Sequence, residues 1–372
     1  MGDSTALTLF KFNQHVGLMT LMEYRQPLIS VIVPSFNQGA FIHTTIKSVL
    51  GQEYQDWELI IQDACSSDNT ETVCREFAAS DSRIRFYREK DNGFADGVNR
   101  GLAKARGTIC AIQSSDDFYA AKDVFREAAD FFSTHPESVL VAGDFRMVDK
   151  DLKELESSPR YHGKSGPVSA IDVFTLKENF PQGSVFFSAE RARQVGGLST
   201  DVDMVADTDF WIRMTNRYPV VSGSISRINR IWSYALMHEN QRSTDASRFA
   251  SGRALMYFRL LEDEGLSVEK STRSAAFRTA FVDAFHLRLQ KNETENDLRA
   301  LHQKAFGKDV PWSWKIKSTM LRVPGLRHLY FRKRILLETA DFLAGPRSGK
   351  KNWFDSDSGL IFGSNYQKEQ NR

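Results

Sequence analysis

The stretch Leu28-Ile29-Ser30-Val31-Ile32-Val33-Pro34 is apolar and β-branched almost throughout, without alternating polar positions. Such a run reads as a strand buried on both faces, and therefore as part of a sheet covered by helices on each side. Downstream, Ser35-Phe36-Asn37-Gln38-Gly39 reads as a turn, and the spacing from Phe41 to Leu50 predicts an amphipathic helix stopped by Gly51. The unit then repeats. Trp57 to Asp63 (WELIIQD) reads as a second strand, Thr70 to Ala79 as a helix, and Ile84 to Glu89 as a third strand. Phe94 to Ala105 reads as a helix capped near Gly107, and Thr108 to Gln113 as a fourth strand. A helix near Ala120 to Ser133 and a strand over Ser138 to Phe145 follow. This alternation predicts an α/β fold with a mainly parallel sheet, whose polar turns at the strands' carboxyl ends gather ligands.

The second half is less regular. Residues 151–181 are rich in Ser, Gly, Pro and Lys and predict loops over a site. A strand over Ser184 to Ser188, helices over Glu190 to Val195 and Ala206 to Asn216, and strands over Val220 to Ser224 and Ile228 to Leu236 are expected next. From about Ser243 to Phe306 the pattern is helical. The chain therefore divides into an N-terminal extension (1–27), an α/β domain (28–245), a helical appendage (246–309) and a basic segment with a polar tail (310–372).

A chain of 372 residues with 41% hydrophobic and 26% charged content can bury a sizeable core. Its net charge of +2 offers no bulk attraction for a nucleic acid. Cys65, Cys74 and Cys110 form no CxxC pair, which argues against a disulfide framework or a zinc cage and for a reducing, cytoplasmic setting. No run reaches the roughly 20 apolar residues that span a bilayer. Between Val310 and Leu337, Lys315, Lys317, Arg322, Arg327, Arg332, Lys333 and Arg334 interleave with Trp312, Trp314, Tyr330 and Phe331. That composition suits peripheral contact with the inner face of an anionic membrane. It equally suits a solvated appendage, and Pro311, Pro324 and Gly325 interrupt any long helix.

Several acidic and polar residues sit where such a fold places its chemistry. Asp116-Asp117 directly follows an apolar strand, as a hard-cation site would, or as a solvated turn would. Asp63 ends the second strand, where it can accept a hydrogen bond from a ring NH or simply close an Asx turn. Asp207 and Asp209 open a helix; meeting the helix dipole explains both, whereas a proton-accepting role would single out Asp207. His238 follows the last strand and can ligate a metal or bond a diphosphate, or merely be exposed. Arg242 is a candidate phosphate contact.

Taken in order, these segments resemble the family 2 glycosyltransferases of the GT-A fold over about Leu28 to Thr244. Val31-Ile32-Val33-Pro34-Ser35-Phe36-Asn37 looks like that family's opening strand and turn, which implies that Pro34, Ser35 and Asn37 line the base pocket. Asp63-Ala64-Cys65-Ser66-Ser67-Asp68-Asn69-Thr70 is similar to D-G-x-S-x-D-x-T and implies a base-binding Asp63, with Ala64-Cys65 in place of the glycine-containing pair. Asp91-Asn92-Gly93-Phe94-Ala95-Asp96-Gly97-Val98-Asn99-Arg100-Gly101 resembles D-N-G-x-x-D-x-x-N-x-G and makes Asp96 and Asn99 donor-pocket candidates. Ser115-Asp116-Asp117 matches the D-x-D position, implying Asp117 as the ligand of Mg2+ or Mn2+ and Asp116 near the ribose. Gln182-Gly183-Ser184-Val185-Phe186-Phe187 and Ala206-Asp207 resemble the acceptor half, with Asp207 as base and Ala206 where a Glu is usual. His238 matches a histidine that completes the metal or diphosphate site.

The resemblance implies an inverting transfer of a sugar from a nucleotide-diphosphate donor, UDP or dTDP being favoured by Asp63, to a glycan or lipid-linked hydroxyl in surface polysaccharide synthesis. Three rival readings each call for residues that this chain lacks, or leave without a use residues that it has. A dinucleotide-dependent oxidoreductase would show G-x-G-x-x-G where this chain has Pro-Ser-Phe-Asn-Gln-Gly. A nucleotidyltransferase would carry a Gly-rich, basic loop after the first strand. A non-catalytic sugar-nucleotide-binding or scaffold protein would not be expected to keep Asp63, Asp117 and Asp207 together.

Overall fold

Ile29–Ser35 (β1) lies in the middle of the parallel half of the sheet, flanked by Trp57–Asp63 (β2) and Ile109–Ile112 (β4), with Ile84–Arg88 (β3) beyond β2. The computed structural model describes residues 28–156, 158, 165–217, 221, 223–238 and 246–290. The double burial of β1 follows from its two covers. Val31 and Val33 join a core with Ile42, Ile46 and Val49 of the helix Ile42–Leu50 (α1). On the opposite face Ile32 meets Gly101 of Phe94–Lys104 (α3), where an added Cβ would come within 2.3 Å of the isoleucine methyl. Thr70–Ser80 (α2) connects β2 to β3. Each fully buried Val or Ile contributes about 1.5–3 kcal/mol, so an unbroken apolar strand is what this position requires.

The strand order is β3-β2-β1-β4-β8-β6-β9-β5. Here β5 is Phe118–Tyr119, β6 Leu140–Val148, β8 Val185–Ser188 and β9 Ile225–Leu236; Gly166–Pro167 (β7) pairs with β9 off this path. The parallel arrangement ends at β8, which runs antiparallel to both β4 and β6, while β6 and β9 are again parallel. Val124–Thr134 (α4), Ala170–Phe174 (α5), Ala189–Gln194 (α6) and Ala206–Asn216 (α7) complete the unit.

Two expectations are corrected. Val221, Gly223 and Ser224, the described residues of the stretch 220–224, form no strand: Gly223 turns with φ of 86°, and a single strand starts at Ile225 and runs twelve residues. The stretch 151–181 is not all loop, since β7 and α5 form within it. The chain divides into two units, Met1–Glu239 and Asn240–Arg372. In the second, Ala246–Leu261 (α8) and Lys270–Gln290 (α9) pack together, with Phe258 and Phe277 rings 5.7 Å apart. Among the described residues no helix is long and apolar enough to cross a membrane. The N-terminal extension, Arg242, the continuation of the helical region past 290 and the basic segment at 310–337 lie outside the described residues.

Candidate active site

Register alone brings the polar turns together. Ser35 pairs with Asp63, Asp63 with Arg88, and Ile32 with Ile112, so the turns after β1, β2 and β4 leave the same edge of the sheet. The first two are stitched to each other. Asn37 N donates to Ser66 Oγ at 2.8 Å, Gln38 N to Thr70 Oγ1 at 2.9 Å, and Gly39 N to Asp68 Oδ2 at 3.0 Å. Asn37 Oδ1 accepts in return from Ser67 N at 2.9 Å. Phe36 remains 58% exposed at the tip, and the buried Ser35 hydroxyl has no hydrogen-bond partner.

Asp63 is fully buried and closes the turn that follows β2, its Oδ2 accepting from Ser66 N, three residues on, at 2.9 Å and its Oδ1 from the Ser66 hydroxyl. Arg88 stands 4.0 Å from the carboxylate and also bonds the Ser66 carbonyl at 3.3 Å. A carboxylate has about four lone-pair sites, so these bonds leave room for a ligand NH. Cys65 makes this turn with φ of 64°. Left-handed backbone costs an L-residue about 1–2 kcal/mol, and a β-branched residue is worse there. Cys65→Val should therefore lower the urea midpoint, whereas Cys65→Gly should hold or raise it. An unchanged midpoint for the valine variant would show that the turn carries no strain.

The acidic turn after β4 is held from two sides. Thr45 on α1 donates its hydroxyl to the Asp117 carbonyl at 2.6 Å, and the short strand β5 pairs Phe118 with Tyr234 of β9. That pairing delivers Asp117 Oδ1 to the Leu236 amide at 3.1 Å and Asp116 Oδ2 to His238 Nε2 at 3.0 Å. His238 stacks on Phe41, ring centroids 4.5 Å apart, and its Nδ1 is buried without a hydrogen-bond partner. Burial, and then the neighbouring Asp116 charge, push the Asp117 carboxyl well above its ordinary range; the Leu236 amide and Ser114 hydroxyl pull the other way.

The remaining candidates have other immediate partners. Asp96 accepts from Asn92 N at 3.0 Å and pairs with Arg100 at 3.2 Å on the same helix. Asn99 spends its carboxamide on the backbone of Leu198, 2.8 Å in each direction, tying α3 to the turn after α6. Asp207 accepts from Thr208 N at 2.7 Å, and burial raises its carboxyl above the ordinary carboxylate value. No hydrogen bond or ion pair joins Asp207 to Asp116, Asp117 or His238 among the described residues. Asp209, two residues on, is different. It is buried against Arg213 at 2.8 Å, and Arg213 also holds the Val195 and Gly197 carbonyls, each at 2.8 Å. Removing one partner of a buried pair costs about 3–5 kcal/mol, so Asp209→Ala should lower the thermal midpoint far more than Asp207→Ala. Equal effects would contradict this division of roles.

The chemistry of the acidic turn suits a hard divalent cation. The Asp116 charge raises the proton affinity of the buried Asp117 carboxyl, and a buried imidazole nitrogen lacks a partner; oxygen and nitrogen donors of this kind fit Mg2+ or Mn2+. Among the described residues no group of three or more His, Cys, Asp or Glu side chains stands ready to hold a metal. A cation here would complete its shell with substrate phosphate and water.

The chain is similar to known proteins in both sequence and structure. Residues 30–189 match the sequence model of Glycosyl transferase family 2. The chain carries a family 2 glycosyltransferase domain. Among its relatives, the putative teichuronic acid biosynthesis glycosyltransferase TuaG of Bacillus subtilis is 38% identical over 140 residues, 36% of this chain. A PGL/p-HBAD biosynthesis glycosyltransferase of Mycobacterium bovis is 28% identical over 188 residues, 50% of this chain. These matches span 55% of the Bacillus protein and 69% of the mycobacterial one. In structure the chain is similar to residues 1–349 of S. aureus TarS in complex with UDP-GlcNAc, with TM-score 0.57 and 18% identity over 74% of this chain and 81% of that one. It is also similar to the mannosyltransferase PcManGT of Pyrobaculum calidifontis in complex with GDP-Man and Mn2+, with TM-score 0.50 and 15% identity over 87% and 89%. The glycosyltransferase domain thus has the GT-A fold.

Proposed function

We propose that this protein transfers a hexose, with inversion, from a UDP- or dTDP-linked donor to a glycan or lipid-linked hydroxyl, in surface polysaccharide synthesis. One observation carries the proposal: the Asp116-Asp117 turn is fixed between α1 and β9 on the strand edge that also ends in Asp63. In this reading the stitched turns around Asn37 and Asp63 hold the base, Asp116 lies near the ribose, and Asp117 with His238 holds Mg2+ or Mn2+. The cation, when bound, neutralises the negative charge that gathers on the departing diphosphate.

Asp207 acts as general base. It takes the proton of the acceptor hydroxyl, whose oxygen forms a bond to the anomeric carbon; the bond to the diphosphate oxygen breaks, and its electron pair leaves with the nucleotide. A raised carboxyl suits this task, because a base near the working pH combines ionised population with driving force. The names of the Bacillus and mycobacterial relatives support the biosynthetic setting, and the UDP-GlcNAc and GDP-Man in the TarS and PcManGT complexes support a nucleotide-diphosphate sugar as donor; the preference for UDP or dTDP rests on Asp63. The test is nucleotide release from a panel of UDP- and dTDP-hexoses with Mn2+. Release from one donor, abolished by chelator, is expected. No release from any, by folded protein that also binds no nucleotide, would reject the assignment.

A further inference from the structure

The helix that opens with Asp207 is hung from a single turn. Within α7, Asp209 and Arg213 are buried against each other at 2.8 Å. Arg213 Nη1 and Nη2 donate to the carbonyls of Val195 and Gly197, each at 2.8 Å. The same turn is gripped by α3. Asn99 Nδ2 donates to the Leu198 carbonyl, and Asn99 Oδ1 accepts from the Leu198 amide, both at 2.8 Å. Gly197 turns with φ of 71°, and a Cβ there would come within 2.4 Å of Asn99 Oδ1, so only glycine admits so close a grip. Arg193 on α6 adds a second tie, its Nη2 donating to the Ala105 carbonyl just past the end of α3 at 3.2 Å. In turn α3 lies directly on β1: a Cβ on Gly101 would meet Ile32 at 2.3 Å, and one on Gly97 would stand 3.5 Å from the Pro34 side chain. A continuous path of close contacts thus runs from β1 through α3, Asn99, the 195–198 turn and Arg213 to α7.

We propose that Asn99 is a positioning residue for Asp207: by clasping the turn from which α7 is hung, it fixes the carboxylate that takes the acceptor proton at a set distance from the nucleotide site. The inference rests on the general-base role proposed above for Asp207. The turns that hold the nucleotide in that reading leave β1, β2 and β4, whereas Asp207 stands on α7 and bonds none of Asp116, Asp117 and His238. Its place relative to the donor is therefore set indirectly, through the scaffold. A carboxamide that both donates to and accepts from one residue fixes orientation as well as distance. Misplacing a reacting group by 1 Å through a change far from the chemistry can cost about 10²-fold in rate.

The test measures turnover and nucleotide affinity in parallel on wild type, Asn99→Ala, Asn99→Asp, Asp207→Asn and the double variant Asn99→Ala/Asp207→Asn. Turnover is nucleotide release, with Mn2+, from the UDP- or dTDP-hexose that the wild type cleaves; affinity is that of the matching nucleoside diphosphate. Asn99→Ala should lower kcat by about 10²-fold and leave the nucleotide affinity unchanged, whereas an Asn99 that lined the donor pocket would lose affinity. Asn99→Asp keeps the shape and the bond from the Leu198 amide but cannot donate to its carbonyl; it should also lose kcat alone, and it carries the test if the alanine variant does not fold by circular dichroism. The double variant should be no slower than Asp207→Asn, because placing an absent base has no value. A merely structural role would give neither this split nor this coupling. Wild-type kcat in both Asn99 variants, a matching loss of nucleotide affinity, or losses that multiply in the double variant would overturn the proposal. Full turnover in Asp207→Asn would instead overturn the general-base role, and this inference with it.

Discussion

Asp207→Asn should lower turnover by about 10²–10⁴-fold while leaving the affinity for a nucleoside diphosphate unchanged. The amide keeps the shape of the carboxyl but cannot take a proton, and Asp207 shares no hydrogen bond or ion pair with Asp116, Asp117 or His238. Its pH signature has a definite sign. Burial raises the Asp207 carboxyl above its ordinary value, so the acid limb of kcat/KM should lie above the usual carboxylate range, with activity falling as pH drops through it. That limb should disappear from the residual activity of Asp207→Asn. A variant that retains both turnover and acid limb would remove Asp207 from the mechanism.

Asp117→Asn should abolish metal-dependent nucleotide binding and at the same time raise the thermal midpoint of the metal-free protein. Both effects have one origin. Burial and the Asp116 charge raise the Asp117 carboxyl, so the folded protein holds that proton more tightly than the unfolded chain does. The contribution to stability is therefore complete below the unfolded value of about 3.9 and is lost as pH rises through the raised folded value. At neutral pH the Asp117 carboxyl is therefore a burden on the metal-free fold. Asparagine removes the burden and the ligand together. The gain in midpoint should shrink as pH is lowered, and a destabilised variant at neutral pH would contradict this electrostatic account.

The parallel half of the sheet was legible because its physics is local. β1 is apolar throughout, covered by α1 on one side and Gly101 of α3 on the other, and β2 occupies the stretch expected for it. Likewise the crowded apolar sequence of α7 buries Phe210, Trp211, Ile212 and Met214 together rather than along one narrow stripe. β9 was harder to read, since exposed Asn229 and Arg230 interrupt its pattern where its pairing with β6 shifts register. In the site, the type of residue was readable but not its partner. Asp63 bonds the Ser66 amide three residues on, not the amide two residues on that an Asx turn would use. Asn99 bonds Leu198, 99 positions away, and His238 meets Asp116, 122 away. No local pattern encodes such pairings. Thr45 had a signal that went unused: it is a polar residue among Ile42, Ile46 and Val49 on the buried face of α1, where it anchors the Asp117 carbonyl.

The proposed function requires that the Asp63 and Asp117 turns together form a metal-assisted site for a pyrimidine nucleoside diphosphate. Calorimetric titration of UDP, dTDP and GDP, with Mn2+ and with chelator, into wild type and Asp117→Ala tests it most directly. UDP or dTDP should bind in the presence of Mn2+, and this binding should be lost with chelator or with the substitution. Binding of no nucleotide by folded wild type, or binding indifferent to both metal and Asp117, would contradict it.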